Sequence, residues 1–434
     1  VRLHVCDWRG FTEARQEISA ALLSGKRAIY PFGHLAISDS PAEQLQCARL
    51  SVRDLYPAST APLWRGERYG HTKIRIAYVS GDFYAHAIPF LIAGVFEHHD
   101  RDRFETFAVS YGPDDKSKMR ARLENAFTRF LDVREESDAA IAAMLREMEI
   151  DIAVDVKGYT GGARPGILAF RPAPIQVNYL GYPGTMGADY IDYLIADRIV
   201  IPEEHRAYYS EQIVYLPDTY QSNDNRRRIA ARAFDRADAG LPEDAFVFCC
   251  FNGSHKIMPD IFRAWMRILS KVSGSVLWLL EEHPAAAANL RREAQENGVA
   301  PERLFFAKRV ALEAHLARLK LASLVLDTLP YGAHTTASDA LWAGVPVLTR
   351  LGETFAGRVA SSLLHAIGLP ELVTHSLAQY ESQACHLAQN TTLLAGIRAQ
   401  LMRNRETMPL FDTARITRNL EAAYIEMWTR HQRG

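Results

Sequence analysis

Two hydrophobic periodicities divide this chain. Up to about residue 70, apolar residues recur at three- and four-residue steps, as in Phe11, Ala14, Ile18 and Leu22. That spacing lays one apolar stripe along a helix over 11–23, and a second helix follows Ser40-Pro41 and runs to Leu55. From Lys73 onward short apolar runs take over, at 74–79, 104–110, 150–156 and 175–180, with helical stretches near 88–97, 117–126 and 137–148 between them. Runs of this kind read as buried parallel strands, and their alternation with helices builds βαβ units. Further short strands are expected over 190–217. The polar segment 221–232 reads as a linker, and a second alternating series follows at 246–251, 275–280, 304–306, 321–326 and 345–348. The last part, 376–431, reads as mostly helix. The pattern predicts an α/β protein: a helical segment over 1–70, a first doubly wound, Rossmann-like lobe over 71–222, and a second over 233–434 that includes the C-terminal helices.

Doubly wound domains in tandem bind ligands at the carboxyl ends of their strands, in the crevice between them. Polar or glycine-rich segments stand at those positions: Ser80-Gly-Asp82-Phe-Tyr-Ala-His86, Gly158 to Arg164, Gly181 to Gly187, and Asn252-Gly253-Ser-His255-Lys256. The run at 304–306 leads towards His315, and the run at 322–326 leads to His334-Thr-Thr336. This last stretch is the easiest to read chemically. A strand is followed by a turn at Pro330-Tyr-Gly332-Ala, where Gly332 is free to take positive φ. Thr335-Thr336 then opens a helix that stops at Gly344 and Pro346. Such a hydroxyl-capped helix start aims free N–H groups at one point and suits a phosphate. An ordinary strand-to-helix turn would have the same local sequence.

Composition narrows the choices. A chain of 434 residues with 48% hydrophobic and 23% charged residues is globular and long enough for two or three cores. The net charge is −1, and the densest basic cluster, Arg226-Arg227-Arg228, reads as a solvated loop, so nucleic acid is not an expected partner. Five cysteines without metal-ligand spacing suit a reducing cytoplasm, with Cys249 and Cys250 as core residues on opposite strand faces. No apolar run is long enough for a membrane span. The chain begins at Val1, so it is expected to be a piece of something longer.

Neither G-x-G-x-x-G after a strand nor G-x-x-x-x-G-K-[ST] occurs, so the dehydrogenase and P-loop signatures are missing. Asp100-Arg-Asp102 lies between a helix and a strand, at the wrong end for a site, and reads as a charged turn. With no metal expected, a leaving diphosphate would have to be neutralised by protein groups, for which Lys256 and the Thr335-Thr336 helix start are the candidates. His86 is a candidate base, since imidazole titrates near neutral pH. A surface lysine and a loop histidine remain the alternative readings.

Taken together, Arg171-Pro-Ala-Pro-Ile-Gln176, Leu180-Gly-Tyr-Pro-Gly-Thr185, His334-Thr-Thr336 and Gly352-Glu-Thr354 resemble the catalytic region of the protein O-linked N-acetylglucosaminyltransferases, the bacterial homologues most of all. The resemblance covers about residues 74–428. The segment Cys6-Asp-Trp8 and the helices after it look like the junction with tetratricopeptide repeats, and missing repeats would be the route to an oligomer. The resemblance implies a glycosyltransferase-B fold, UDP-GlcNAc as donor, a protein or peptide acceptor, and no metal or other cofactor. His86 matches the family's proposed base and Lys256 its sugar-diphosphate lysine. His315 resembles the histidine on uracil, with Arg318 its polar neighbour. His334, Thr335 and Thr336 match the phosphate- and sugar-contacting run, and Asp339 the ribose-side carboxylate. Gly181, Pro183, Gly184, Thr185 and Asn252 complete the implied donor site. The sequence departs from the pattern at Gly253, where Gln or Asn is frequent, and at His255, often Tyr. Phe90 stands where a second histidine is frequent, and Gly161 where a lysine is frequent.

The function expected is inverting transfer of N-acetylglucosamine to Ser or Thr hydroxyls. A related transferase using GDP-fucose or UDP-glucose, a UDP-sugar epimerase of similar fold, and a non-catalytic UDP-binding scaffold are the alternatives.

Overall fold

Buried apolar runs long enough to cross a core once, each followed by a helix, settle here into two wholly parallel sheets. The computed structural model describes residues 2–232 and 234–434. The first sheet holds β1 (Ile74–Ser80), β2 (Phe104–Ser110), β3 (Arg129–Asp132), β4 (Ile152–Asp155), β5 (Ile175–Asn178), β6 (Tyr193–Ala196) and β7 (Gln212–Tyr215). Its order is β3-β2-β1-β4-β5-β6-β7. The second holds β8 (Val247–Cys250), β9 (Val276–Leu280), β10 (Leu304–Ala307), β11 (Leu324–Leu326), β12 (Val347–Arg350) and β13 (Val373–Thr374), in the order β10-β9-β8-β11-β12-β13. β4, β5 and β8 are buried along their whole length, which is why their sequences carry no alternation. Cys249 and Cys250 are both buried core residues.

Each sheet reverses its winding once, between β1 and β4 in the first and between β8 and β11 in the second. Such switch points leave a crevice beyond the strand ends. Polar segments follow all four of these strands, and the remaining ones follow β5 and β10.

By contacts the chain forms two compact units. Ser40–Arg226 forms one with Glu17–His34 and Pro409–Gly434; Arg227–Met408 forms the other with Leu35–Asp39 and the stretch ending at Gln16. The helical segment therefore divides between units. Leu22, Cys47 and Leu50 make a small core in the first-sheet unit, with Ile18 and Ile29 against it. In the second-sheet unit Trp8 packs on Phe262 at 5.4 Å between ring centres, and Val5 O accepts from Asn289 Nδ2 at 2.8 Å. The last helix, Thr413–Arg433, was expected in the second lobe and instead packs in the first-sheet unit. It buries Ile416, Leu420, Tyr424 and Met427, and the hydroxyls of Tyr78 and Tyr424 lie 3.3 Å apart.

The polar stretch expected as a linker begins in the interior. Gln221, Ser222, Asn223 and Asp224 are buried. Asn223 O accepts from Thr413 Oγ1 at 2.8 Å, and Asp224 Oδ2 accepts from Arg122 Nη1 at 2.5 Å. Among the described residues no helix is long and apolar enough to cross a membrane.

Candidate functional site

In the second-sheet unit, β8 runs into Phe251 and Asn252, and one 3₁₀ turn, Ser254–Lys256, follows. Ser254 N donates to Glu282 Oε2 at 2.7 Å, fixing the turn. Lys256 Nζ donates to Gly332 O at 2.9 Å and stands 3.6 Å from the centre of the Tyr331 ring. Burial pushes its pKa down to about 8, against the pull of Asp327. The lysine is charged at neutral pH yet near to losing its proton, so an anion beside it would restore what burial removes.

Asp327 closes β11 and shapes the loop that meets Lys256. Its buried carboxylate accepts from Thr328 N at 2.7 Å, Ala333 N at 2.6 Å and Thr349 Oγ1 at 2.7 Å. Gly332 is not in the positive-φ region expected of it. A Cβ there would lie 3.2 Å from Asp327 Oδ2 and 3.3 Å from Ala356 O, so close packing is what favours glycine.

The helix Thr335–Trp342 begins at the switch point, but no threonine caps it. His334 is its N-cap residue and makes no side-chain cap bond. Thr336 Oγ1 instead donates to Asn252 Oδ1, while Asn252 Nδ2 donates to Thr328 Oγ1 at 2.7 Å. Asn252 is thus a buried fastener between the end of β8 and the helix start. The first N–H groups of the helix have no partner within the helix, which keeps the anion-binding character of this end. His334 Nε2 lies 3.0 Å from Ala356 O, a contact only an N–H can make, and burial keeps the ring neutral. Its Nδ1 therefore carries a lone pair, which can accept a hydrogen bond from a hydroxyl and cannot donate one to phosphate.

His315 and Arg318 lie on the helix Leu312–Leu319. Arg318 Nη2 donates to His315 Nδ1 at 3.1 Å and Nη1 to Lys308 O at 2.5 Å, with the guanidinium 4.9 Å from the Phe251 ring centre. Burial and Arg318 push the His315 pKa down to about 4, so the neutral ring keeps its proton on Nε2. Asp339 is buried against Arg227, whose Nη1 donates to Oδ1 at 2.6 Å and Nη2 to Ser338 Oγ at 3.2 Å. Arg227 is accordingly no solvated loop residue, and one Asp339 oxygen is already committed to it.

In the first-sheet unit, His86 follows β1 and is the N-cap residue of the helix Ala87–His98. Its side chain is 39% exposed, with Nδ1 3.5 Å from Ile88 N and 3.7 Å from Asp82 Oδ2. Burial lowers its pKa, Asp82 raises it and Lys157 lowers it. Phe90 lies on the same helix, and Gly161 faces open space. At the end of β5, a Cβ on Gly181 would lie 2.2 Å from Val156 O, so only glycine fits. Asn178 Nδ2 donates to Gly184 O at 3.1 Å, next to Pro183. Thr185 is buried and donates to Glu211 Oε2 at 2.7 Å, and Glu211 Oε1 accepts from Met186 N at 2.6 Å. Thr185 therefore pins its loop and has no hydroxyl to spare for a ligand.

The structure gathers Asn252, Lys256, His334, Thr335 and Thr336 at one switch point, with His315 and Arg318 joined to it through Phe251. His86 and the 181–185 loop belong to the other unit. Sequence reasoning missed Asp327, Tyr331 and Arg227 in the second-sheet unit, and Asp82, Lys157 and Glu211 in the first. Asp82, Lys157 and Asp327 stand within two residues of strand ends, which is a readable signal; Glu211 gave none. Among the described residues no cluster of three or more His, Cys, Asp or Glu is placed to hold a metal ion.

Two Rossmann-like lobes with polar strand ends at both switch points are the architecture of the GT-B fold. The profile of glycosyl transferase family 41 matches residues 61–233 and 229–420, and the chain belongs to that family. A solved mutant of the Thermobaculum terrenum O-GlcNAc transferase aligns with a TM-score of 0.84 at 30% identity, over 99% of this chain and 82% of that one. The Arabidopsis thaliana protein named Probable UDP-N-acetylglucosamine--peptide N-acetylglucosaminyltransferase SEC is 37% identical over 452 residues, 99% of this chain and 46% of its own length. The Caenorhabditis elegans UDP-N-acetylglucosamine--peptide N-acetylglucosaminyltransferase is 27% identical over 561 residues, 99% of this chain and 48% of its own. The chain spans about half the length of these curated relatives.

Proposed function

We propose that this chain is the catalytic region of an inverting transferase that moves N-acetylglucosamine from UDP-GlcNAc to Ser or Thr hydroxyls of proteins. The observation that carries the reading is Lys256, held on a π face beside a helix start, with a pKa pushed down to about 8. A diphosphate gaining charge as its bond to the sugar breaks is what such a lysine stabilises best. In this reading the acceptor oxygen attacks the anomeric carbon and passes its proton to His86. The bond from that carbon to the diphosphate breaks, and its electron pair leaves with UDP against Lys256 and the helix start. His315 and Arg318 take the uracil and Asp339 the ribose. His334 Nδ1 accepts from a sugar hydroxyl.

Protein charge takes the place of a metal in this proposal, so EDTA should leave turnover unchanged. We place the protein in the cytoplasm, on the strength of five free cysteines, with neither nucleic acid nor a membrane as partner. Oligomerisation through helical repeats belongs to the same proposal.

The experiment is incubation with UDP-GlcNAc and a cytoplasmic extract, followed by mass spectrometry of modified Ser and Thr. UDP at 100 times its Kd should also add about 2.7 kcal/mol of stability. Stabilisation by UDP without transfer of any sugar would leave a binding scaffold. Transfer from GDP-fucose in preference to UDP-GlcNAc would reassign the donor.

A further inference from the structure

The ends of β1 and β4 hold a buried ion pair that the reaction as described does not use. Lys157 Nζ lies 2.6 Å from Asp82 Oδ1, and the two residues are 5% and 2% exposed. Their placement is built in from several sides. Asp155 Oδ1 accepts from Lys157 N at 2.8 Å and from Gly158 N at 2.9 Å, which sets the direction of the lysine. Ser80 Oγ accepts from Asp82 N at 3.0 Å. Gly81 leaves the passage open: a Cβ there would lie 2.7 Å from the Tyr111 ring and 3.4 Å from Lys157 Cδ. Buried ion pairs add little net stability over apolar residues of similar volume, so stability alone does not explain this one.

With Oδ1 held by Lys157, Asp82 turns Oδ2 towards His86 Nδ1, 3.7 Å away. The competing neighbour is Ile88 N, which donates to Nδ1 at 3.5 Å as the cap bond of the helix. Nδ1 can serve one of them. Accepting from Ile88 N puts the ring proton on Nε2, which then cannot act as a base. Donating to Asp82 leaves the lone pair on Nε2. The loop offers His86 little room to change partners: Ala85 N donates to Asp115 Oδ2 at 3.0 Å, and Phe83 O accepts from Arg120 Nη1 at 3.2 Å. Tyr84 is a further titratable neighbour, 5.5 Å away between ring centres.

We propose that Asp82 and Lys157 are positioning residues for His86: Lys157 fixes the Asp82 carboxylate, whose second oxygen holds the imidazole proton on Nδ1 and leaves Nε2 basic. The proposal rests on the reading of His86 as the base. Distances of this size are common in unliganded sites and shorten when substrate is bound.

Nitrogen-15 NMR of histidine-labelled full chain tests this directly, with His86→Gln identifying the His86 signals. The parent protein should show the Nδ1–H tautomer at high pH. Asp82→Asn should move His86 towards Nε2–H and lower its pKa, whereas Lys157→Met should raise it. The charges alone would shift the pKa in opposite directions, so the tautomer and its loss in Asp82→Asn are the readouts that a pair without a positioning role would not move. Turnover of UDP-GlcNAc should fall roughly 10–100-fold in both, as for outer partners of metal-bound histidines, with KM for UDP-GlcNAc unchanged and part of the rate restored in Lys157→Arg. An Nε2–H tautomer in the parent, or shifts of the same sign in the two variants, would overturn the proposal. The parent tautomer decides even if Asp82→Asn fails to fold. Full turnover in His86→Gln would remove the base assignment and leave the tautomer measurement standing by itself.

Discussion

Lys256 stands 3.6 Å from the centre of the Tyr331 ring while its Nζ donates to Gly332 O, so a π face and one carbonyl hold its charge. Among the described residues no carboxylate pairs with it directly. With its pKa pushed down to about 8, the amine loses its proton as pH rises through that value. A bound diphosphate favours the charged form and raises the pKa again. UDP affinity should therefore be flat below pH 8 and weaken above it. Calorimetric titration across this range should show the fall in the parent protein and not in Lys256→Met. The same variant should lose about 2.7–4 kcal/mol of transition-state stabilisation, the usual loss for one preorganised donor. Near-normal turnover in Lys256→Met would show that the charge of Lys256 is not used on a leaving diphosphate.

Arg227 offers a test of stability. Its guanidinium donates to Asp339 and Ser338 and lies 5.5 Å from the Trp342 ring centre. Burial lifts the Asp339 pKa to about 6 even with the arginine beside it. Removing the arginine strands a buried acid, for which losses of about 3–5 kcal/mol are typical. Arg227→Met should lower the denaturation midpoint accordingly. An unchanged midpoint would mean that the pair is open to water.

Thr185 and Glu211 separate loop-pinning from ligand-binding. Glu211→Ala leaves the Thr185 hydroxyl and Met186 N–H without their acceptor, at a cost of about 1–3 kcal/mol for each buried group. Thr185→Val removes the donor to Glu211 and the acceptor of Gly187 N and Ser210 N, and should cost a similar amount. Urea denaturation should show both variants destabilised, while UDP affinity stays level in Thr185→Val. A large loss of UDP affinity in Thr185→Val would return the hydroxyl to the donor site.

Buried parallel strands were legible because both of their faces are apolar. β3, with the sequence Arg-Phe-Leu-Asp, is an edge strand with charged ends, and β13 has two residues; neither carries enough pattern to be seen. Strand-end positions pointed to His86 and Lys256, because chemistry there needs particular side chains, whereas Arg318 came from the family resemblance alone. Residue type misled at Thr335 and Thr336, where a cap was expected. Caps depend on backbone direction, and here the direction gives Thr336 to Asn252. Arg227 was hidden for a related reason: a buried arginine inside a polar run looks like a solvated one until its carboxylate, 112 residues away, is known.

Base selection gives the last test. The guanidinium of Arg318 is spent on Lys308 O and His315 Nδ1 and lies 4.9 Å from the Phe251 ring centre, so it holds the imidazole in one orientation. His315, with its pKa pushed down to about 4, stays neutral from pH 6 to 9 and presents an Nε2–H and a flat ring. A pyrimidine can stack on that ring and meet polar groups fixed beside it. A purine is larger and has a different edge, leaving at least one buried group unpaired, at about 1–3 kcal/mol each. UDP should therefore displace a fluorescent UDP analogue at concentrations about 5–150-fold below those needed for GDP, which is that same energy expressed as a ratio. Arg318→Ala should weaken UDP more than GDP and narrow the gap, because it frees the imidazole to turn. Because His315 is already neutral, the preference should not change between pH 6 and 9. Equal displacement by GDP in the parent protein would show that this face does not read the base and would remove the ground for UDP-GlcNAc over GDP-fucose.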